Sequence, residues 1–372
     1  MRYISLFSGI EAASVAWRDL LGFEPVAFCE IDKFPSAVLA YRFPDVPNLG
    51  DITKVDWKEV IAEYGAVDLV VGGSPCQSFS VAAGANRTSL DGKSNLMFEY
   101  IRAIREIRPT WLLWENVPGV LNVRDNAFAQ LLEELSNIGY GLAWSVLDAQ
   151  FFDVAQRRKR VFLVGCAREG GGSAAAVLFD SESVSGNTQS PQSKRQEIAR
   201  ANGKSANPAI QVMTNTTCNA AIDVDMSGTL LAGGGVPPIV IVPKAYTLKM
   251  RGGKDTYIKR DGTKGTAGKG ALVGDDCAFT LSCTQDQTLF AYDEIAKDYV
   301  ARNFTPREEE RLQGFPDDWT KVPYRGKSAE DCPDAPRYKA IGNSMAVPVM
   351  RWIGERIALV DELQKEIQKI SE

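Results

Sequence analysis

Residues Val67 to Ser80 read VDLVVGGSPCQSFS, a strand-like apolar run that leads into a turn of small residues. The run ends at Val71 and predicts a short buried strand, and the turn after it presents the thiol of Cys76. Open α/β sheets bind their ligands at strand ends of this kind. A thiol there, ahead of a segment able to open a helix, has a route to a lowered pKa and to nucleophilic chemistry. Taken alone, the cysteine fits a buried structural role better, so its neighbours decide the interpretation.

Segments on both sides of this stretch alternate short apolar runs with helical patterns through residue 166. This alternation predicts an α/β fold, a Rossmann-like and mostly parallel sheet with helices on both faces. Helical spacing over 34–42 and 96–107 places helices between strands, and Pro109 ends the second helix. The predicted strands are Tyr3–Phe7, Val26–Glu30, Leu69–Gly72, Trp111–Trp114, Leu142–Leu147 and Arg160–Val164.

The composition changes at Arg168, where a second, smaller domain is expected to begin. Residues 168–240 are rich in Gly, Ser, Asn, Gln and Ala, which predicts long loops with a few short strands, and 241–291 suggest strands and hairpins. A capping box with Pro306 at the first helical position predicts a new helix at 305–308. The apolar spacing from Pro348 onward predicts a packing helix, with a coiled-coil dimer contact as the alternative.

The chain of 372 residues contains no histidine, and its seven cysteines include no C-x-x-C pair. Ser-His and Cys-His nucleophile pairs and His-ligated zinc are thereby excluded, and acid–base work falls to carboxylates. The cysteine pattern argues against a disulfide framework and a thiolate zinc site, so we expect no metal. No apolar stretch has the length of a membrane span and the N-terminus does not resemble a signal peptide, so we expect a cytoplasmic protein without a membrane partner.

The net charge of −5 does not by itself suggest a nucleic-acid partner, but the charge distribution does. Residues 244–270 hold eight basic residues against two acidic ones, and 157–160 form a second basic cluster. Local patches of this kind attract phosphates, although solvated surface loops would have the same composition.

Three strand ends together predict a pocket for adenosine. Gly9, in the stretch 7–11 after the first strand, lets the backbone approach a ligand closely. The second strand ends in Glu30–Asp32, where a carboxylate is placed to hold ribose hydroxyls, and Asp51 is placed to accept from an adenine amino group. There is no G-x-G-x-x-G and no Walker lysine, so the pocket lacks a phosphate grip. Ordinary helix caps at Asp32 and Asp51 are the alternative.

A further carboxylate, Glu115, closes the apolar strand that contains Trp111 and Trp114. Partial desolvation there should raise its pKa toward proton sharing with a substrate. Strand alternation should direct Arg158 and Arg160 to one side, where they can contact a base carbonyl, Glu115 or a phosphate.

These residues resemble the DNA (cytosine-5)-methyltransferases, particularly the bacterial and phage modification enzymes. The family's Pro-Cys-Gln, Glu-Asn-Val and Gln-x-Arg-x-Arg motifs and its two C-terminal elements match Pro75–Gln77, Glu115–Val117, Gln156–Arg160, Arg311–Pro316 and Tyr338–Ser344. The resemblance covers residues 1–166 and 305–352, in the family's order. The first motif departs from the family, which usually has more glycine where this chain has Glu11 and Ala12. We expect Glu11 near the amino group of the cofactor.

The resemblance implies S-adenosylmethionine as cofactor, with S-adenosylhomocysteine as product, and a flipped cytosine in double-stranded DNA as target. The Cys76 thiolate would add to C6, so that C5 attacks the methyl group, and loss of the C5 proton would expel the cysteine. Glu115 would hydrogen-bond N3 and the exocyclic amine, while Arg160 and Arg158 would contact O2 or hold Glu115. This scheme needs neither histidine nor metal.

By the same resemblance, the chain would divide into a catalytic domain, 1–167 with 335–372, and a target-recognition domain, 168–334. The protein would act as a monomer on DNA, with any cognate restriction endonuclease acting separately. The residues expected at the cofactor are Phe7, Ser8, Gly9, Ile10, Glu11, Glu30, Ile31, Asp32, Asp51, Ile52, Pro75, Leu96, Asn343 and Ser344. Those expected at DNA are Ser74, Gln77, Ser80, Arg87, Asn116, Lys249, Arg251, Lys254, Lys259 and Arg260.

Three alternatives stay open at this point. A tRNA cytosine-5 methyltransferase would share the chemistry, but the variable region has only Cys277-Ala278-Phe279-Thr280 in place of a Cys-Phe-Thr motif. A non-catalytic, sequence-specific DNA-binding protein on the same scaffold would not need the intact Cys76 and Glu115. A nicotinamide-dependent dehydrogenase would need the phosphate-binding glycines that this chain lacks.

Overall fold

The computed structural model describes residues 1–75, 95–122, 126–168, 170–179, 211–216, 219–224, 239–241, 246–249, 272–275, 278–281, 287–293 and 298–371. The chain divides into two compact units. The first comprises residues 1–188, 280–285 and 305–372, and the second comprises 189–279 and 286–304. Each unit is described by itself.

A six-stranded sheet organises the first unit. Its strands are β1 (Arg2–Leu6), β2 (Glu24–Cys29), β3 (Leu69–Gly72), β4 (Trp111–Asn116), β5 (Gly141–Asp148) and β7 (Lys159–Cys166), with the two-residue β6 (Gln156–Arg157) before the last. The order across the sheet is β2-β1-β3-β4-β7-β5. Strands β1 to β4 pair in parallel, and β7 is antiparallel to both of its neighbours. The predicted Rossmann-like, mostly parallel sheet is confirmed.

Helices cover both faces of this sheet, as parallel strands require. They are α1 (Ala12–Leu21), α2 (Lys33–Arg42), α3 (Trp57–Tyr64), α4 (Asn95–Ile107), α5 (Ala127–Ile138), α6 (Gly170–Leu178), α7 (Pro306–Gln313), α8 (Asp334–Asn343) and α9 (Val347–Ser371). Trp111 and Leu113 of β4 pack with α1, α6 and α9 on one face, and Leu112 and Trp114 pack with α3, α4 and α5 on the other. Alternation along the strand therefore fills two cores.

The C-terminal part of the chain completes the first unit. Trp17 of α1 donates from its indole nitrogen to the Met350 carbonyl at 2.6 Å, inside the core. Helix α9 can come this close because position 354 is glycine: a Cβ there would lie 2.3 Å from the same indole nitrogen. Helix α7 begins at the predicted capping box, in which Thr305 and Glu308 satisfy each other's backbone N–H groups.

Helix α6 corrects the expectation of loops directly after residue 168. Ala174, Val177 and Leu178 are buried in the core of the first unit, so this apolar segment folds as a helix in spite of its glycine-rich start. Arg356 of α9 donates to carbonyl groups at the end of α6, including that of Ala176 at 2.8 Å. The first unit thus continues beyond residue 167, where the composition changes.

In its described residues the second unit is made of short strands, and this mostly β character agrees with the predicted fold class. Its strands are β8 (Gln211–Thr216), β9 (Asn219–Val224), β10 (Ile239–Ile241), β11 (Tyr246–Lys249), β12 (Leu272–Asp275), β13 (Ala278–Phe279), β14 (Gln287–Asp293) and β15 (Asp298–Asn303). They include a sheet of order β10-β8-β9 and a sheet of order β12-β11-β14-β15.

None of the helices in the described parts of the chain is long and apolar enough to cross a bilayer.

Candidate active site

A carboxylate and a guanidinium meet where β4 and β7 run side by side. Arg160 Nε lies 2.9 Å from Glu115 Oε1, and each side chain is largely withdrawn from solvent, with exposed fractions of 14% and 13%. Burial raises the pKa of Glu115 above its ordinary value, and the charges of Arg160 and Arg158 lower it in part. Burial and the two cations thus act on the pKa of Glu115 in opposite directions, and the effect of burial is the larger.

Arg158 lies just before β7 and links the region of the Glu115–Arg160 pair to the end of α8. Its Nη2 donates to the carbonyl groups of Gly342, at 3.2 Å, and Ser344, at 2.5 Å. Its backbone N–H donates to Asp148 Oδ1 at 2.9 Å. Arg158 is only 2% exposed. Its buried hydrogen bonds hold the turn after α8 against the start of β7.

The turn that leads to Cys76 is fixed against Glu115. A Cβ on Gly73 would lie 3.0 Å from both the carbonyl oxygen and Oε2 of Glu115, so only glycine fits there without displacing the carboxylate. Asn116 Nδ2 donates to the Ser74 carbonyl at 3.1 Å, and Trp114 Nε1 donates to Ser74 Oγ at 3.2 Å. Ser74 and Asn116 are buried in this arrangement, and a contact of either with DNA stays a prediction.

A cavity lies next to this turn. It is lined by the turn between β1 and α1, by β3, by Glu115 and by the segment after α8. Six residues expected at the cofactor line it, namely Phe7, Ser8, Gly9, Glu11, Asn343 and Ser344. Ile10 instead lies in the core, where its carbonyl accepts from Trp319 Nε1 at 2.9 Å.

The turn between β1 and α1 carries backbone strain at two residues other than glycine. Phe7 and Glu11 adopt left-handed conformations, with φ of 52° and 64°. Such conformations persist where the surrounding structure holds them, and they are frequent at ligand sites. Glu11 is 1% exposed and forms the N-cap of α1. Burial raises its pKa to about 7, against the lowering effect of hydrogen bonds from Ser5, Ser14 and Tyr3.

Glu30 organises the next strand end. Its Oε2 accepts from the Gly9 N–H at 2.8 Å, and its Oε1 accepts from the Asp32 N–H at 2.7 Å. Burial raises the pKa of Glu30, and these backbone hydrogen bonds lower it in part. Ile31 between the two acids is 72% exposed, an unusual position for a large apolar side chain. Asp32 forms an ion pair with Lys339 of α8 at 2.6 Å and makes no side-chain capping bond.

Asp51 caps the single 3₁₀ turn Ile52–Lys54, which agrees with the alternative prediction that it is a helix cap. Its Oδ1 accepts from the backbone and hydroxyl of Thr53, and these hydrogen bonds lower the pKa of Asp51. Arg102 of α4 donates to the Ile52 carbonyl at 2.8 Å and so ties this turn to α4. Ile52 itself is buried. Leu96 is partly buried against the core that contains Ile52. Pro75 is exposed.

Several expected residues fall outside the parts of the chain that the structure describes. They are Cys76, Gln77, Ser80, Arg87, Arg251, Lys254, Lys259 and Arg260. Lys249 belongs to β11. Their expected roles stay predictions.

Sequence reasoning missed two residues at this site. Asn48 Oδ1 accepts from the backbone N–H groups of Glu30 and Gly50, and so joins the two acidic turns. Lys339 pairs with Asp32 across 307 positions of sequence. An asparagine near a glycine is a turn signal, but nothing local to Lys339 indicates its partner.

Comparison with known proteins identifies the family to which this site belongs. The family model of the C-5 cytosine-specific DNA methylases matches residues 1–359. The chain belongs to this family. The resemblance read from the sequence motifs is thereby confirmed. The Glu115–Val117 motif lies at the end of β4, and the Gln156–Arg160 motif lies at the start of β7.

Several relatives of the chain come from phages and bacteria. It is 34% identical to a DNA N-6-adenine-methyltransferase of Escherichia phage P1, over 98% of this chain and 62% of the relative, so it spans less than two thirds of that protein. It is 28% identical to the type II methyltransferase M2.BsuMI of Bacillus subtilis, over 96% of this chain and 75% of that protein. A crystal structure of a putative DNA modification methyltransferase from an Escherichia coli prophage has the same fold, with a TM-score of 0.55, 18% identity, and coverage of 98% and 99% of the two chains.

Proposed function

We propose that the protein transfers a methyl group from S-adenosylmethionine to C5 of a flipped cytosine in double-stranded DNA, with Cys76 as the nucleophile. The observation that carries the proposal is the contact of Gly73 with Glu115. Gly73 stands three residues before Cys76, and a Cβ on it would lie 3.0 Å from Oε2 of Glu115, a carboxyl whose pKa burial raises. A thiol nucleophile working beside a carboxyl is what addition to a pyrimidine ring requires.

The residues of the cavity fit S-adenosylmethionine better than a dinucleotide. Carboxylates follow the ends of two strands. Glu30 follows β2 and accepts from the Gly9 N–H, and Glu11 follows β1 as the N-cap of α1. A phosphate would be repelled there, whereas ribose hydroxyls and an ammonium group would find acceptors. When bound, S-adenosylmethionine supplies an electrophilic methyl group. Glu11, Glu30, Asp51 and the segment Asn343–Ser344 are the residues that would hold it.

The protein's own groups account for the chemistry at the base. The Cys76 thiolate adds to C6 and makes C5 nucleophilic. Glu115, when protonated, donates to N3 and accepts from the exocyclic amine, so that the negative charge of the adduct is stabilised. Arg160 holds Glu115 in place, and Arg158 fixes the segment behind it. After the methyl group is on C5, loss of the C5 proton breaks the sulfur–C6 bond and frees the thiol.

We assign the second unit, 189–279 with 286–304, to target recognition. This unit contains the basic segment 244–270, whose lysine and arginine residues would contact phosphates while neighbouring loops read base edges. A base inside the duplex is out of reach of a thiol, so the target must be flipped. The protein would act in the cytoplasm as a monomer on DNA, with any cognate restriction endonuclease separate from it.

Adenine N6 methylation is the second candidate, because a relative from phage P1 is named for it. An exocyclic amine does not need a covalent thiol adduct, whereas C5 does. Nucleoside mass spectrometry of methylated duplex DNA therefore decides between the two. We expect 5-methyldeoxycytidine, lost completely in Cys76→Ala while DNA binding is retained.

Two other results would overturn the proposal. Formation of N6-methyldeoxyadenosine alone, or retained 5-methyldeoxycytidine in Cys76→Ala, would each show that the thiol does not form the adduct. Labelled transfer to tRNA rather than DNA would favour the tRNA enzyme. Bisulfite sequencing of the product then gives the sequence context of the modified base.

A further inference from the structure

Glu11 is a buried carboxyl whose two oxygens differ in their hydrogen bonds. Its Oε1 accepts from the Ser14 N–H at 3.1 Å, from Ser14 Oγ at 3.1 Å and from the Tyr3 hydroxyl at 3.3 Å. Among the described residues, Oε2 has no hydrogen-bond partner of standard geometry, although the side chain is 1% exposed and the Ser5 side chain is near enough to lower the pKa of the carboxyl. Glu11 also lines the cavity. Leaving a buried carboxylate oxygen without a partner is costly, so a ligand group is expected to complete it.

The position of the Glu11 carboxyl determines which charge a ligand group can carry at this end of the cavity. The N-terminus of a helix after a first strand ordinarily attracts an anion. Here the side chain of Glu11 accepts from the backbone N–H of Ser14 and already occupies the start of α1. An anionic ligand group would therefore meet another carboxyl instead of free N–H groups. A hydrogen-bond donor, and above all a cation, is what Oε2 lacks.

The other titratable groups around Glu11 do not supply that cation. Tyr3 of β1 is a neutral donor, because burial raises its pKa well above the ordinary value. The charge of Arg18 in α1 lowers the pKa of Tyr3 in part. On the other wall of the cavity Glu115 is neutralised by Arg160, and Glu30 of β2 contacts the backbone of Gly9. Asn343 and Ser344, which also line the cavity, carry no charge.

We infer that Glu11 is a proton-linked contact for the amino-acid end of the cofactor: it carries a proton in the free protein near neutral pH and releases it when the ammonium group binds at Oε2. The inference rests on S-adenosylmethionine being the cofactor. Burial raises the pKa of Glu11 to about 7 in the free protein, and a bound cation would lower it. Only a proton changes place in this step, from the carboxyl to the solvent.

Isothermal titration calorimetry with S-adenosylhomocysteine tests this without any turnover. Titrations at pH 6, 7 and 8, each in two buffers of different ionisation enthalpy, give the number of protons released per ligand. For a pKa of about 7 we expect Glu11 to release about 0.9 proton at pH 6, about 0.5 at pH 7 and about 0.1 at pH 8, where proton uptake by the ligand's own amino group adds to the balance. The affinity should then rise about fivefold from pH 6 to pH 7. The α-amino group of the ligand, with a pKa of about 7.7–8.0, stays charged at the two lower pH values.

Two controls separate Glu11 from other sources of protons. The ligand 5′-methylthioadenosine has the same nucleoside and thioether but no amino acid, and it should bind the wild-type protein without this proton release. The variant Glu11→Gln should bind S-adenosylhomocysteine without proton release, while Glu24→Gln, at an exposed position of β2, should behave as the wild type. A melting curve shows whether Glu11→Gln is folded, and if it is not, the comparison of the two ligands in the wild type decides.

The outcomes distinguish this inference from the proposed function. If S-adenosylhomocysteine binds and DNA cytosine is methylated but proton release is absent, or is equal for the two ligands, the role of Glu11 is wrong and the methyltransferase stands. Proton release that persists in folded Glu11→Gln has the same consequence. If neither ligand binds, the cofactor itself is wrong.

Discussion

Arg160 Nε and Glu115 Oε1 lie 2.9 Å apart although their strands are connected only through α5, β5 and the turn before β7. The contact exists because β7 is inserted antiparallel between β4 and β5, with Asn116 opposite Val161. The beginning of β7 therefore meets the end of β4. An all-parallel sheet would place the start of a strand at the opposite edge, and the pair could not form.

Glu115→Gln should lower methyl transfer by a factor on the order of 10²–10³, because the amide cannot share a proton with N3 of the base. The measurement is single-turnover transfer to duplex DNA under saturating cofactor. DNA affinity, measured in parallel, should stay within about twofold. A transfer rate within tenfold of the wild type would remove Glu115 from the chemistry.

Arg160→Met should destabilise the protein more at pH 8 than at pH 5. The remaining Glu115 carboxylate is then buried without its nearest cation, so its pKa in the folded state rises further above the unfolded value. A carboxyl with a raised folded pKa costs stability progressively as the pH rises through that window. We expect a loss of about 1–3 kcal/mol at pH 8 by urea denaturation, with much less at pH 5.

The double variant Arg160→Met with Glu115→Gln controls for packing. It should recover most of the loss at pH 8, because no buried charge remains. A loss that is equal at both pH values, or that the double variant keeps, would mean that Arg160 acts by packing and not by charge.

Gly73→Ala should impair methyl transfer more than it impairs stability. The new Cβ would lie 3.0 Å from Glu115 Oε2 and from the Glu115 carbonyl oxygen, and 3.3 Å from Met345 Cε, so the carboxylate must move. A displacement of 1 Å at a catalytic group costs on the order of 10²-fold in rate, so the shift of a few tenths of an ångström that these distances require should cost less, roughly several-fold. Gly172→Ala is the matched control, since a Cβ there has no neighbour within 4 Å and alanine favours a helix. Equal activity of the two variants would contradict the prediction.

Glu11→Gln should stabilise the ligand-free protein at pH 8 and have little effect at pH 5. The folded-state pKa of about 7 exceeds the ordinary value of 4.5, so the folded protein binds the proton more tightly than the unfolded chain does. Stability therefore falls as the pH rises between the two values. The removed penalty is about 2–4 kcal/mol at pH 8, measured by thermal or urea unfolding in the absence of ligand. A stability difference that does not depend on pH would show that Glu11 does not titrate in this range.

The sequence predicted the elements whose causes are local. Alternating apolar segments located the six central strands, and the capping box of Thr305 and Glu308 located the start of α7. Glu115 was predicted to be desolvated because an apolar strand precedes it, and burial does raise its pKa. These features depend on neighbours within a few residues.

Features that depend on distant partners could not be predicted. Helix α6 was missed because its glycine-rich start indicates a loop, whereas burial of Val177 against the core and the contact with Arg356 make it helical. The pairing of Asp32 with Lys339 joins positions 307 residues apart. The burial of Glu11 results from the packing of β1 against α1. No residue beside Glu11 in the sequence indicates that its second oxygen lacks a partner.

The cavity is closed by Asn343, Ser344 and Met345, which the ribosome adds long after β4 has emerged. At about 5–20 residues per second, the interval between Asn116 and Asn343 lasts roughly 10 to 45 s. During this time Trp17 has no α9 to cover it, and the cavity lacks one of its walls. We therefore expect translation products that stop before Asn343 to expose apolar surface. On the proposed function they would also leave DNA unmodified, so methylation would have to wait until the segment Asn343–Met345 has been made.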